Sequence, residues 1–129
     1  MQHETTASPL PGARRSASSG RTIARFYTNG IRDWGRYLGG GSEEYTVTTK
    51  LHPNGGLALI MSTRSGMLST DGSVVSGNYD TLIARIADDG ALTWATYFGG
   101  TADDLAGGLA VGPDGQIYAL AVTYSKNLA

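Results

Sequence analysis

The chain repeats itself at a spacing of sixty residues, and this repeat constrains its fold more than any other feature. The segment WGRYLGG at residues 34–40 returns as WATYFGG at residues 94–100. Matches in the same register extend to both sides: Ile23, Arg25, Gly30, Glu44, Pro53, Gly55, Thr63 and Ser65 correspond to Ile83, Arg85, Gly90, Asp104, Pro113, Gly115, Thr123 and Ser125. A fixed period of this length is typical of stacked units, each of which buries its apolar side against the next.

The composition favours strands and narrows the classes of function. The chain has the 129 residues of one small domain, and its 19 glycines and seven tyrosines suit short strands joined by tight turns. The net charge of −1 excludes a strong attraction to nucleic acid or anionic lipid. Because the chain has no cysteine, it has neither disulfides nor thiolate metal ligands. No apolar run in the sequence approaches the ~18–20 residues that a membrane-spanning helix needs.

Apolar and β-branched residues between turn signals predict eight short strands. They lie at residues 22–27, 31–38, 45–51, 57–63, 79–86, 92–98, 105–111 and 116–123. Asn-Gly and Asp-Gly pairs interrupt the strands in the manner of tight hairpin turns. The stretch 64–78, which is rich in Ser and Gly, predicts a longer loop after the fourth strand.

Four short antiparallel strands per repeat fit one blade of a β-propeller. We therefore expect an all-β fold, namely a partial β-propeller of about two four-stranded antiparallel blades with a disordered N-terminal tail. The Arg/Ser-rich tail covers residues 1–21, the first repeat with its long loop covers 22–79, and a truncated second repeat covers 80–129. Because closed propellers have roughly four to eight blades, we expect a fragment of a longer protein or a chain that closes a ring by self-association.

The repeated residues have structural interpretations. We assign repeat-stabilising roles to Trp34, Tyr37, Gly39, Gly40, Glu43, Glu44, Gly55, Trp94, Tyr97, Gly99, Gly100, Asp103, Asp104 and Gly115. The tryptophans suit the space between blades, and the glycines suit turns or a close backbone approach. We expect the acidic pairs to cap backbone amides of the Gly-Gly loops. Calcium binding is the alternative, although no D-x-D-x-D-G spacing accompanies these acids.

No pattern of catalytic residues is visible. Ser65 and Ser125 recur, but no Gly-x-Ser-x-Gly elbow surrounds them. The two histidines, His3 and His52, have no acids near them in a metal-binding spacing. The triple glycine after Leu38 lacks the Gly-Lys-Ser/Thr ending of a phosphate-binding loop. The sequence therefore predicts no catalytic residue, no cofactor and no metal ligand, and a protein that is not an enzyme.

The second copy resembles a known bacterial repeat. The residues that carry the resemblance are Tyr97, Phe98, Gly99, Gly100, Asp103, Asp104, Asp114, Gly115, Ile117 and Tyr118. Their order is similar to that of the SBBP repeat, whose name refers to predicted seven-bladed β-propellers, and the similarity covers about residues 22–125. The first copy matches more loosely, because Leu57-Ala58 replaces the Ile-Tyr of the pattern.

The resemblance implies an exported or surface-attached bacterial protein without an agreed catalytic motif. We expect a non-enzymatic repeat module for extracellular or cell-surface protein interaction or scaffolding. Its partners would be a protein or glycan ligand and further propeller blades, in a longer chain or by self-association.

Two alternatives stay open. The stretch ADDGALTW at residues 87–94 is similar to the repeated motif of quinone-dependent dehydrogenases. In a carbohydrate-active propeller, Trp and Tyr side chains would stack on sugars.

Overall fold

The computed structural model describes residues 20–42, 44–75 and 77–127. It contains eight strands: β1 Arg21–Phe26, β2 Arg32–Leu38, β3 Glu44–Leu51, β4 Leu57–Thr63, β5 Asp80–Ile86, β6 Leu92–Phe98, β7 Asp104–Val111 and β8 Ile117–Thr123. The predicted strands agree with these bounds to within one residue at each end, and the all-β class is confirmed. The predicted tail at 1–21 lies outside the described residues up to residue 19.

The strands form three antiparallel sheets in the orders β1-β2, β3-β4-β5-β6 and β7-β8. One four-stranded sheet between two strand pairs thus replaces the expected two four-stranded blades, because β4 pairs with β5 across the repeat boundary from Leu57↔Ile86 to Thr63↔Asp80. The physical reason is that a buried strand needs backbone partners along both of its edges. Within the described residues no sheet closes on itself, and no helix is long and apolar enough to cross a membrane.

The three sheets stack face to face and enclose two apolar clusters. The first cluster lies between the β1–β2 pair and the central sheet and contains Trp34, Leu38, Leu59, Met61, Leu68, Leu82, Ala84, Ile86, Ala95 and Tyr97. The second lies between the central sheet and the β7–β8 pair and contains Ala58, Ile60, Ile83 and Leu109. Successive side chains of a strand point to opposite faces, so the neighbours Leu59 and Ile60 belong to different clusters.

The four hairpin turns lie at one end of the strands, where neighbouring turns contact each other. In the turn of the first repeat the amide of Gly55 donates to the carbonyl of His52 at 3.0 Å, and in the second repeat Gly115 donates to Gly112 at 3.0 Å. Gly55 and Gly115 have φ values of 93° and 88°. A side chain disfavours this left-handed region, so the predicted Asx-Gly turns depend on their glycines.

The predicted loop between β4 and β5 is confirmed, and it covers the outer edge of β6. The amide of Thr70 donates to the carbonyl of Ala95 at 2.8 Å, and the amide of Ala95 donates to Thr70 Oγ1 at 2.9 Å. Hydrogen bonds from Ser73 and Thr96 hold the pKa of Asp71 in this loop at about 2. Because an uncovered sheet edge invites pairing with other chains, the loop protects this side of the central sheet.

Candidate functional site

The repeated acid of the second copy is buried beneath the Gly-Gly loop. Asp104 at the start of β7 accepts a hydrogen bond from the amide of Gly100 at 2.8 Å and one from the hydroxyl of Ser125 at 2.9 Å. The hydroxyl of Thr123 donates to its other carboxylate oxygen. Ser125 Oγ also accepts from the amide of Ala102 at 2.9 Å. The carboxylate therefore ties the loop before β7 to the end of β8.

The first copy contains the same network. Glu44 at the start of β3 accepts hydrogen bonds through Oε2 from the hydroxyls of Thr63, at 2.9 Å, and Ser65. Ser65 Oγ accepts from the amide of Ser42 at 3.1 Å. Sequence reasoning noted that the two hydroxyl residues recur in the second copy but gave them no role. Their recurrence is the signal that could have placed them beside the repeated acid.

The glycines of the loops are required by these acids. A β-carbon at Gly39 would come within 2.1 Å of Glu44 Oε1, and one at Gly99 would come within 2.7 Å of Asp104 Oδ2. Real β-carbons essentially never approach another heavy atom this closely. The Gly-Gly loop and the buried acid are thus one structural unit, present in both repeats.

The pKa values of Glu44 and Asp104 are shifted in opposite directions, although the two acids have similar hydrogen-bond partners. Burial raises the pKa of Glu44, and the hydrogen bonds from Ser65 and Thr63 do not compensate for it. Burial also disfavours ionised Asp104, but hydrogen bonds from Thr123, Gly100 and Ser125 outweigh it and lower the pKa of this carboxyl group. Burial disfavours the charged form and hydrogen bonds to the carboxylate favour it, and the balance between these two effects differs between Glu44 and Asp104.

The first acid of each pair has a separate position. Asp103 accepts a hydrogen bond from the amide of Tyr79 at 3.2 Å, which connects the loop before β7 to the segment before β5. Its counterpart Glu43 lies outside the described residues, as does His3. His52 lies in the β3–β4 turn with Nε2 at 3.0 Å from the carbonyl oxygen of Gly115. In the part of the chain that the structure describes, no three acidic or histidine side chains could together hold a metal ion.

The two repeated tryptophans have different environments. Trp34 is buried over Gly90, where a β-carbon would come within 2.6 Å of the indole ring. Its Nε1 donates to the carbonyl of Asp88 at 3.2 Å, and Nε of the buried Arg36 donates to the carbonyl of Gly90 at 2.8 Å. Trp94 is half-buried and packs against the second cluster. Trp34 therefore joins the β1–β2 pair to the β5–β6 turn.

The repeated tyrosines also differ. Tyr97 is buried in the first cluster, where its hydroxyl donates to the carbonyl of Ser65 at 2.5 Å and accepts from the amide of Leu68 at 3.1 Å. Burial raises the pKa of Tyr97 to about 12. Tyr37 is exposed on the outer side of β2. The two copies of the repeat therefore differ in burial at the position of Tyr37 and Tyr97.

A shallow cleft of about 600 Å³ lies at the hairpin-turn end, lined by Arg25, Asp33, Trp34, Ala87, Asp88 and Asp89. Arg25 forms ion pairs with Asp33 at 3.7 Å and with Asp88 at 3.2 Å. The guanidinium group of Arg25 is thus paired with two carboxylates, and the indole nitrogen of Trp34 is already hydrogen-bonded to the carbonyl of Asp88. The cleft thus lies where the β1–β2 pair contacts the β5–β6 turn.

A row of aromatic and cationic side chains lies at the opposite end of the strands. The rings of Tyr45 and Tyr79 are 5.7 Å apart. The guanidinium groups of Arg21 and Arg64 lie 5.8 Å and 5.4 Å from the centres of the rings of Tyr45 and Tyr79, respectively. Cation–π contacts of this kind order the side chains at the surface.

The β7–β8 pair presents an exposed apolar surface, which sequence reasoning did not single out. The outward side chains of β8 and of the residue after it are exposed, namely Tyr118, Leu120, Val122 and Tyr124. Their spacing of two residues places them on one face of the strand. An exposed apolar stripe along a strand is a feature of protein interaction surfaces.

No family model matches this chain, and neither the curated proteins nor the solved structures contain a match.

Proposed function

We propose that this chain is a non-enzymatic β-propeller repeat module that serves protein interaction or scaffolding. The observation that carries the proposal is that the buried acid and the two hydroxyl residues of each repeat bind each other within the fold. Asp104, Thr123 and Ser125 bind each other or a loop amide, and Glu44 forms the same network with its own two hydroxyl partners. These carboxylates and hydroxyls stabilise the fold, and their hydrogen bonds make them poor candidates for a catalytic nucleophile or base.

The propeller part of the proposal is supported by the stacking of a four-stranded sheet between two strand pairs, with all hairpin turns at the same end. In this proposal the outer pairs are halves of two further four-stranded blades. Further blades, in a longer chain or by self-association, would complete the ring. The resemblance to the SBBP repeat adds an extracellular or cell-surface location to the proposal.

The test of a non-enzymatic role uses the purified chain with a quinone cofactor, followed by absorbance. We expect no saturable spectral change, because Arg25, the one cation in the cleft, is already paired with acids. A saturable change, or defined turnover of an alcohol in its presence, would overturn the proposal in favour of a quinone-dependent dehydrogenase.

A carbohydrate-binding role is the second candidate, favoured by the Tyr45–Tyr79 row. Tyrosine rings supply flat apolar surface that can stack on sugar rings. A glycan array probed with the chain and with the variant Tyr45→Ala separates the two functions. Binding that the variant loses would establish the glycan role, whereas the proposed function expects no glycan signal from either protein. The exposed Tyr37→Ala is the matched control.

A further inference from the structure

Strand β8 is the repeat equivalent of β4, yet their surroundings differ. β4 pairs with β3 on one edge and with β5 on the other, and nearly all of its residues are buried. Among the described residues, β8 pairs with β7 alone, and most of its residues are exposed. The difference does not come from the hairpins themselves. Both have an irregularity at the same place, between Tyr45 and Thr48 in one and between Ala106 and Gly108 in the other.

The β1–β2 pair has the complementary form. It is the repeat equivalent of β5–β6, and its register is the same: Arg25 pairs with Trp34, as Arg85 pairs with Trp94 sixty residues later. Both pairs shift register directly after that arginine. In the part of the chain that the structure describes, β1 pairs with β2 alone. The chain thus carries two halves of a four-stranded sheet at opposite sides of its central sheet.

We infer that β8 is a docking edge for β1 of a second copy of this chain, which pairs with it as β5 pairs with β4. The occupant follows from the internal template, because the β4–β5 junction shows that hairpins of these two types join edge to edge. Transferred by sixty residues, the pair Leu59↔Ala84 becomes Ala119↔Ala24 of the second copy. Addition of a strand to an exposed sheet edge is a common mode of protein recognition.

The apolar face of β8 supports the same occupant. Tyr118 and Leu120 stand where β4 has Ala58 and Ile60, which the next strand pair covers in the second cluster. When β1–β2 of a second copy docks, the central sheet that packs on that pair follows as the next layer. This layer would cover Tyr118 and Leu120. Docking of a second copy would therefore pair the free edge of β8 and cover its apolar face at the same time.

The junction uses two different surfaces, so it is heterologous and joins copies head to tail. Such contacts generate a closed ring when the rotation between copies closes and an open filament when it does not. Each copy would contribute one complete central sheet and two halves that become complete sheets in the assembly. The inference depends on the repeat geometry and is independent of whether the protein has a ligand or turnover.

The first experiment is the solution mass by light scattering over a range of concentrations. We expect multiples of the 13.5 kDa of one chain. Val122→Lys places a charge on the docking strand and should return the mass to that of one chain, because charged residues on edge strands block pairing. The matched control is Val74→Lys, since Val74 is also exposed but lies in the β4–β5 loop, and it should keep the multiple mass.

The second experiment tests the register of the β8–β1 pair by disulfide cross-linking. The chain has no native cysteine, so only the introduced cysteines can react. Directly opposed residues of antiparallel strands lie about 4.5–5.5 Å apart, within the reach of a disulfide. Ala119→Cys mixed with Ala24→Cys should therefore form a cross-linked pair under mild oxidation. Ala119→Cys mixed with Thr22→Cys, shifted by two residues on the same face, should give several-fold less, because that separation is about 7–8 Å.

Two results would overturn the inference. A wild-type mass of one chain at every concentration, in a sample whose circular dichroism shows β-structure, would overturn the inference. Self-cross-linking of Ala119→Cys alone, at a yield equal to that of the mixture, would show β8–β8 pairing and would overturn it as well. Neither result bears on the quinone and glycan tests, which decide the proposed function.

Discussion

The β3–β4 hairpin and the β7–β8 hairpin have one sequence pattern and two physical environments. Both begin with a buried acid, end with a threonine that binds this acid, and carry an irregularity at the same position. The first hairpin belongs to a four-stranded sheet with layers on both faces, and its strand β4 is paired along both edges. The second hairpin has one neighbouring layer, and its strand β8 is paired along one edge in the described structure. The comparison shows that a repeat specifies a shape, while its neighbours determine its burial.

The largest difference in stability should appear when the equivalent residues Ile60 of β4 and Leu120 of β8 are truncated. Ile60 is 0% exposed and Leu120 is 67% exposed. We expect Ile60→Ala to lower the free energy of unfolding by about 2–5 kcal/mol, the usual cost of removing a large buried side chain. Leu120→Ala should change it by less than about 0.5 kcal/mol, as is usual at exposed sites. Urea unfolding of dilute samples measures both, and equal losses would contradict the different burial of the hairpins.

The two acids should respond unequally to removal of charge. Both carboxylate oxygens of Asp104 accept hydrogen bonds, so the amide of Asp104→Asn must face a donor, and we expect a loss of about 2 kcal/mol near neutral pH. Burial favours the neutral form of Glu44 and raises its pKa, so the neutral side chain of Glu44→Gln should cost less. Urea midpoints give the comparison, with Asp114→Asn as the control at an exposed turn. A larger loss for Glu44→Gln would contradict it.

The equivalent tyrosines Tyr37 and Tyr97 allow the two repeats to be compared by removal of a single hydroxyl group. Tyr97→Phe removes hydrogen bonds to Ser65 and Leu68, so we expect a loss of about 1–2 kcal/mol. Tyr37→Phe changes an exposed ring and should leave the thermal midpoint unchanged. If both variants melt like the wild type, the Tyr97 hydroxyl does not anchor the β4–β5 loop.

The smallest effect is the dependence of stability on pH, and its sign differs between the repeats. The raised pKa of Glu44 means that its contribution is present below its ordinary value of 4.5 and is lost as pH rises through the folded-state pKa. The lowered pKa of Asp104 means that its contribution is present above 3.8 and is lost as pH falls through the folded-state pKa.

Urea unfolding between about pH 3 and about pH 7 tests these signs. Relative to the wild type, Glu44→Gln should become more stable as pH rises above the ordinary glutamate range. The cost of Asp104→Asn should shrink at the acidic end. Parallel profiles of the three proteins would show that the two carboxyl groups titrate as they do in the unfolded chain.

Local features of the fold could be predicted from the sequence. The strands and turns follow from short-range rules, such as the left-handed glycine at positions 55 and 115, and these predictions are confirmed. The grouping of strands was predicted by repeat, but β4 joins β5 instead. Strand partners depend on residues far apart in the chain, so no local pattern reports them. The propeller ring and the surface role remain proposals.

The candidate site shows the same division. The recurrence of Glu44, Thr63 and Ser65 as Asp104, Thr123 and Ser125 is visible in the sequence, but only the acids were assigned a structural role from it. Their contacts, and the opposite pKa shifts, could not be predicted, because desolvation depends on the atoms that surround a group in three dimensions. The exposure of the apolar stripe on β8 could not be predicted for the same reason. The alternation around Tyr118 and Leu120 is the same as that of a strand with one buried face.

The sequence by itself determined the eight strands, their hairpin turns and the sixty-residue unit, because these depend on side-chain alternation and on turn chemistry within a few residues. The tertiary structure alone decided which hairpins share a sheet, which of two equivalent acids has a raised pKa and which of two equivalent strands is exposed. These properties arise from the partners along each edge and on each face, and identical local patterns acquire different partners at different places in a stack.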